Sequence, residues 1–144
     1  MEPQIVACPH CRQRNRLRPA ASGTPVCGSC RQALPWIATA GDDDFAAIAE
    51  KSAMPVVVDL WAPWCPPCRA VAPALEQVAG ELAGRVKLVK VNVDDAPRLS
   101  ERFAVRAVPT LMVMRDGRVV ARQSGAVPAA ALRRWVEQAL ATAA

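Results

Sequence analysis

From Trp36 onward the apolar positions alternate between short continuous runs and stretches of helical period. The segment "MPVVVDLWA" is nearly unbroken and is opened by Pro55, the pattern of a central strand covered on both faces. Before it, "DDDFAAIAEK" predicts a helix with Asp42, Asp43 and Asp44 at its positive end. After it, a long helix is expected from about Pro66 to Leu82, kinked at Pro73. "RVKLVKVNVD" predicts a second strand and "APRLSERFA" a short helix. "TLMVMRDGRVVARQ" predicts two strands joined at Asp116-Gly117, a strong hairpin signal. "PAAALRRWVEQALATA" closes the pattern as an amphipathic helix, with Leu132, Trp135, Val136 and Leu140 on one face. The order βαβαββα implies an α/β fold, a mixed sheet with helices on both faces.

Residues 1–35 follow neither period. They hold Cys, Arg, Pro and small residues, with too few large apolar side chains to build a core of their own. The reading is therefore two units, 1–35 and 36–144. All six cysteines of the 144-residue chain fall into Cys-x-x-Cys pairs, and four of them occupy the first unit. Cys8-x2-Cys11 and Cys27-x2-Cys30, with fifteen residues between the pairs, match the spacing of a four-thiolate zinc site. Pro9 and Gly28 suit the tight knuckles, and a structural Zn²⁺ would supply the folding free energy that this segment lacks. His10 is read as an exposed neighbour, because four sulfurs already complete the set.

Charge and composition narrow the setting. The N-terminus has no apolar stretch long enough for a signal peptide, and no run of 18 apolar residues occurs, so a cytoplasmic protein without a membrane span is expected. In that compartment Cys-x-x-Cys pairs are metal ligands or redox thiols rather than staples. Arg12, Arg14, Arg16, Arg18 and Arg31 crowd the first unit. No aromatic residues interleave with them, so a nucleic-acid partner is disfavoured.

The third pair, Cys65 and Cys68 in "WAPWCPPCR", sits where the buried strand gives way to the long helix. With Cys65 as N-cap, Pro66 and Pro67 take the first two helical positions, and the Cys68 N–H is left to donate to the Cys65 sulfur. That N–H and the helix dipole favour thiolate. Asp59, alone among apolar residues, should be desolvated, with a raised pKa suited to proton transfer.

The segment "DLWAPWCPPCR" resembles the active site of thioredoxins. With the four upstream cysteines, the chain resembles the zinc-binding thioredoxin-2 type over its whole length. The resemblance implies a thioredoxin fold preceded by a zinc-ribbon-like module, and a protein-disulfide reductase. It implies Cys65 as exposed nucleophile, Cys68 as resolving thiol and Asp59 as the buried acid that exchanges protons with it. Val108-Pro109-Thr110 resembles a cis-proline loop, and Trp64, Val108, Pro109 and Gly125 match the surface on which substrates dock. Lys90 sits where a lysine often neighbours the buried acid, and Trp61 beside the site. Implied partners are disulfide-containing proteins and an NADPH-dependent thioredoxin reductase, with the chain a monomer. The bracket departs from the family's Cys-Gly-Pro-Cys at Pro66, which leaves room for a more oxidising oxidase or isomerase. A binding protein acting through the zinc module is a further alternative.

Overall fold

The apolar run after Pro55 becomes the middle strand of a five-stranded sheet. A computed structural model describes residues 3–142. In chain order the elements are β1 (Gln4–Ala7), β2 (Arg14–Leu17), β3 (Ile37–Thr39), a π-helical turn (Ala46–Glu50) and β4 (Val56–Trp61). There follow α1 (Pro66–Glu81), β5 (Lys87–Asn92), α2 (Pro97–Arg102), β6 (Thr110–Arg115), β7 (Arg118–Ser124) and α3 (Ala129–Thr142). The main sheet runs β3-β5-β4-β6-β7, with β3, β5 and β4 parallel and β6 and β7 antiparallel. β1 and β2 pair by themselves as an antiparallel ribbon.

Two apolar layers cover the sheet because alternate residues of β4 and β5 point to opposite faces. Val56, Val58 and Leu60 join Phe45, Ile48 and Leu99 on one side. Val57 and Leu88 join Val71, Leu75 and Val78 of α1 and Leu132 and Val136 of α3 on the other. The Asp116-Gly117 hairpin forms as expected, both residues at positive φ (53° and 78°).

Three local expectations are corrected. "DDDFAAIAEK" yields a π-helical turn rather than an α-helix capped by its own aspartates. Asp44 instead accepts from the Gly41 N–H, and Asp42 reaches across to accept the Arg98 and Leu99 N–H groups at the start of α2. For Asp42 the positive helix end is thus a neighbour's. The third correction is an added strand: the short run at Ile37–Thr39 pairs with β5, giving the sheet an edge that periodicity did not reveal.

The cysteine-rich segment carries a small cluster of its own, Cys8, Cys27 and Leu34 with Leu17 and Cys30 packed against it. It is joined to the sheet through Lys87, a buried lysine at the first position of β5. The Lys87 ammonium donates to the Ile48 carbonyl at 2.7 Å and to the Pro19 carbonyl, and lies 4.1 Å from the centre of the Trp36 ring. Burial pulls its pKa down to about 8, while two carbonyl acceptors and an aromatic face compensate the ammonium. Lys87 begins the parallel strands, so this junction lies at the opposite end of the sheet from the Cys65 loop, which follows the end of β4.

Candidate functional site

The site grows from the end of β4. Cys65 has extended backbone (φ −102°, ψ 107°) and caps α1, with Pro66 and Pro67 as the first helical residues. Neither proline has an N–H to waste, and the first free one, on Cys68, donates to the Cys65 sulfur at 3.2 Å. Cys65 and Cys68 are joined as a disulfide, their Cα atoms 5.3 Å apart. In this oxidised form Cys65 is only 2 % exposed, a correction to the expected exposed nucleophile. The reason is the crowd around it: Ala62, Trp61, Val93 and Val108 pack about the two sulfurs, and the Val108 carbonyl oxygen lies 3.5 Å from the Cys65 sulfur.

The loop before β6 supplies that lid. The Val108-Pro109 peptide is cis, and the Pro109 carbonyl accepts the Gly125 N–H at 3.0 Å. Gly125 stands at φ +95°, a left-handed conformation that disfavours any side chain. Trp64 projects outward, 64 % exposed, and its indole N–H donates to Asp94 at 3.1 Å. Arg69 ties the turn from the helix side, donating to the Pro63 carbonyl at 3.0 Å. Neither Asp94 nor Arg69 carried a sequence signal, since each is an ordinary charge until the fold brings its partner near.

Asp59 lies beneath this surface on β4, 1 % exposed, with its Oδ1 unpartnered. It shares parity with Val57, which places it in the layer under α1, the layer that also receives Cys68 from that helix's inward stripe. Burial raises its pKa to about 6, opposed by the positive charge of Lys90, its register partner on β5. The Lys90 ammonium in turn stands 5.6 Å from the centre of the Trp61 ring.

A second constellation lies in the N-terminal segment. The sulfurs of Cys8, Cys11, Cys27 and Cys30 all fall within 4.8 Å of one another and could hold a metal ion. The two knuckles repeat one hydrogen-bond plan. Cys8 N–H donates to Gln13 and Arg12 N–H to Cys8; Cys27 N–H donates to Gln32 and Arg31 N–H to Cys27. Arg12 and Arg31 take matching positive φ values of 67° and 66°. The N–H groups of Cys30 and Ser29, with Asn15, lower the Cys27 thiol to about 6. The Gln32 N–H also favours the Cys30 thiolate, but burial and three neighbouring sulfurs push it up to about 12. Such a set cannot hold four negative charges without a cation. His10 is exposed, as expected of a bystander.

The comparisons with known proteins agree with this geometry. The thioredoxin family model matches residues 37–138. Over 97 residues the chain is 45 % identical to a thioredoxin of Haemophilus influenzae, covering 67 % of this chain and 91 % of that one. A thioredoxin of Thiocapsa roseopersicina is 48 % identical over 80 residues, 56 % of this chain and 88 % of its own. Thioredoxin C-3 of Corynebacterium nephridii is 37 % identical over 139 residues, 94 % of this chain and 95 % of its own, a span that includes most of the cysteine-rich segment. Among the described residues no helix is long and apolar enough to cross a membrane. With a redox disulfide capping a helix, a cis-proline loop against it and a family match over most of its length, the chain belongs to the thioredoxin family and is a thiol-disulfide oxidoreductase.

Proposed function

We propose that the chain is a cytoplasmic, monomeric protein-disulfide reductase working through a mixed disulfide. The observation that carries the reading is the N-terminal position of Cys65 on α1, with the Cys68 N–H aimed at its sulfur. In the reduced protein that N–H and the helix dipole favour the Cys65 thiolate. The thiolate attacks one sulfur of a substrate disulfide and expels the other as a thiolate, leaving Cys65 covalently linked to the substrate. Cys68 then loses its proton and attacks the Cys65 sulfur. The Cys65–Cys68 bond forms, the substrate leaves as a dithiol, and two electrons have passed to it.

Asp59, whose pKa burial raises to about 6, is the group proposed to take the Cys68 proton. Trp64, Val108, Pro109 and Gly125 form the proposed docking surface, the extended substrate lying along the loop backbone. A thioredoxin reductase returns two electrons from NADPH. The measurement is turnover of insulin disulfides with NADPH and a thioredoxin reductase. Reduction that disappears with Cys65→Ser is expected; no reduction by correctly folded protein rejects the reading.

Residues 1–35 are proposed as a zinc module ahead of a thioredoxin domain at 36–144. A tetrahedral ion with Zn–S bonds of about 2.3 Å separates its sulfurs by roughly 3.8 Å. The Cys8–Cys30 and Cys11–Cys27 sulfurs stand 3.6 and 3.5 Å apart, a spacing that fits the ion. Four thiolates leave no open position for chemistry, so the metal's contribution is to hold the two knuckles together.

A further inference from the structure

The five arginines of the N-terminal segment are a feature that disulfide exchange leaves unused. Residues 3–41 contain no acidic side chain, so the negative charge available to these guanidiniums within the segment is that of the cysteine thiolates. All five are exposed, and none forms an ion pair among the described residues. Absence of interleaved aromatics argues against a stacked single strand, but it does not address a pocket.

The fold makes one. β2 and the loop that follows it pass over Trp36 and leave a groove lined by Arg16, Leu17, Arg18, Ser22, Thr24 and Trp36. Alternation along β2 puts Arg16 on the solvent face, and Arg18 continues the row two residues on. Trp36 is 3 % exposed, yet its indole N–H is buried without a hydrogen-bond partner. A buried donor left unmet is unfavourable and calls for an acceptor. The Lys87 ammonium behind it adds positive charge 4.1 Å from the centre of the same ring. Neither the Ser22 nor the Thr24 hydroxyl has a partner among the described residues.

We propose that this groove is a binding site for a phosphoryl group. Two guanidiniums and two hydroxyls offer more donors than the two oxygens of a carboxylate accept. A phosphoryl group presents three strongly accepting oxygens to them. Arginine rather than lysine suits the planar, two-pronged recognition of phosphate. Leu17 supplies an apolar wall for whatever carries the group. The site lies at the end of the sheet remote from Cys65, so occupancy there leaves the disulfide surface free.

The test is pyrophosphate binding to the full-length, metal-loaded chain, read from the Trp36 indole N–H resonance. That resonance is assigned by its loss in Trp36→Phe. A saturable shift is expected with pyrophosphate and not with chloride at equal ionic strength. Arg16→Ala and Arg18→Ala should each weaken binding by roughly ten- to a hundredfold, the effect of losing a hydrogen bond to a charged group. Arg14→Ala, on the same strand but outside the groove, should leave it nearly unchanged. Where an alanine variant loses its metal or its other indole resonances, the glutamine variant at the same position replaces it. Displacement by a short single-stranded oligonucleotide at lower concentration than by ATP assigns the group to a nucleic-acid chain; the reverse order assigns it to a free nucleotide. An unmoved Trp36 resonance overturns the proposal. Equal weakening by Arg14→Ala also overturns it, as would oligoglutamate displacing pyrophosphate equally well, which points instead to an acidic protein.

Discussion

Replacing Asp59 by Asn removes a carboxylate that the fold holds almost out of water. Its pKa is raised from 3.8 to about 6 by burial, against the partial relief of Lys90. A shift of that size corresponds to roughly 3 kcal/mol against the ionised form in the folded state. The sign follows from proton counts. Between pH 3.8 and 6 the folded chain keeps the Asp59 proton while the unfolded chain has released it, so the protein loses stability as pH rises through that window. Below it both states are protonated and the penalty is absent; above it the penalty is complete. Asp59→Asn cannot ionise, and the amide it introduces contributes an offset that does not change with pH. The difference in unfolding free energy between the variant and the parent should therefore grow in the variant's favour by roughly 2.5 kcal/mol between pH 4 and pH 8. Urea unfolding of both oxidised, metal-loaded proteins at a series of pH values measures it, and titration of the other groups cancels in the difference. A difference independent of pH would refute the argument, since it would mean that Asp59 titrates alike in both states.

Lys87→Met should destabilise the protein by about 2–4 kcal/mol, because the Pro19 and Ile48 carbonyls lose their buried donor. The segment 1–35 should also become sensitive to trypsin, and unchanged stability with unchanged cleavage would contradict the role given to Lys87. Chelating the metal should unfold residues 3–35 while the sheet over 37–138 persists, seen as selective loss of amide resonances; one common transition would show that the two parts are not separable. Trp64→Ala should raise KM for a protein disulfide by roughly tenfold without lowering stability, because the ring is exposed and, among the described residues, its one hydrogen-bond partner is Asp94. Turnover assays alongside thermal unfolding separate the two effects.

What could be read from the sequence was local. The run around Val56–Leu60, the N-cap at Cys65 and the turn at Asp116-Gly117 are each set by residues adjacent in the chain, and each formed where expected. The desolvation of Asp59 was legible for the same reason, as one charge among valines. Contacts between distant segments were not. Asp42 looked like the cap of its own helix, and only tertiary packing brings it to α2. Lys87 looked like one lysine in a strand, because its partners Pro19, Trp36 and Ile48 are scattered along the sequence. β3 is too short to show a period, and its strand character comes from pairing with β5. The burial of Cys65 belongs to the oxidised pair and its crowded loop, which no spacing of residues discloses.

The central claim is that the Cys65 sulfur attacks and the Cys68 sulfur releases. Its most direct measurement is mass spectrometry of Cys68→Ser and Cys65→Ser proteins incubated, reduced, with a disulfide-bonded peptide. Cys68→Ser should accumulate one peptide adduct, mapped to Cys65, that persists until a small thiol is added, while Cys65→Ser should accumulate little. Rapid adduct formation on Cys68 of the Cys65→Ser protein, or none on folded Cys68→Ser, would contradict the account.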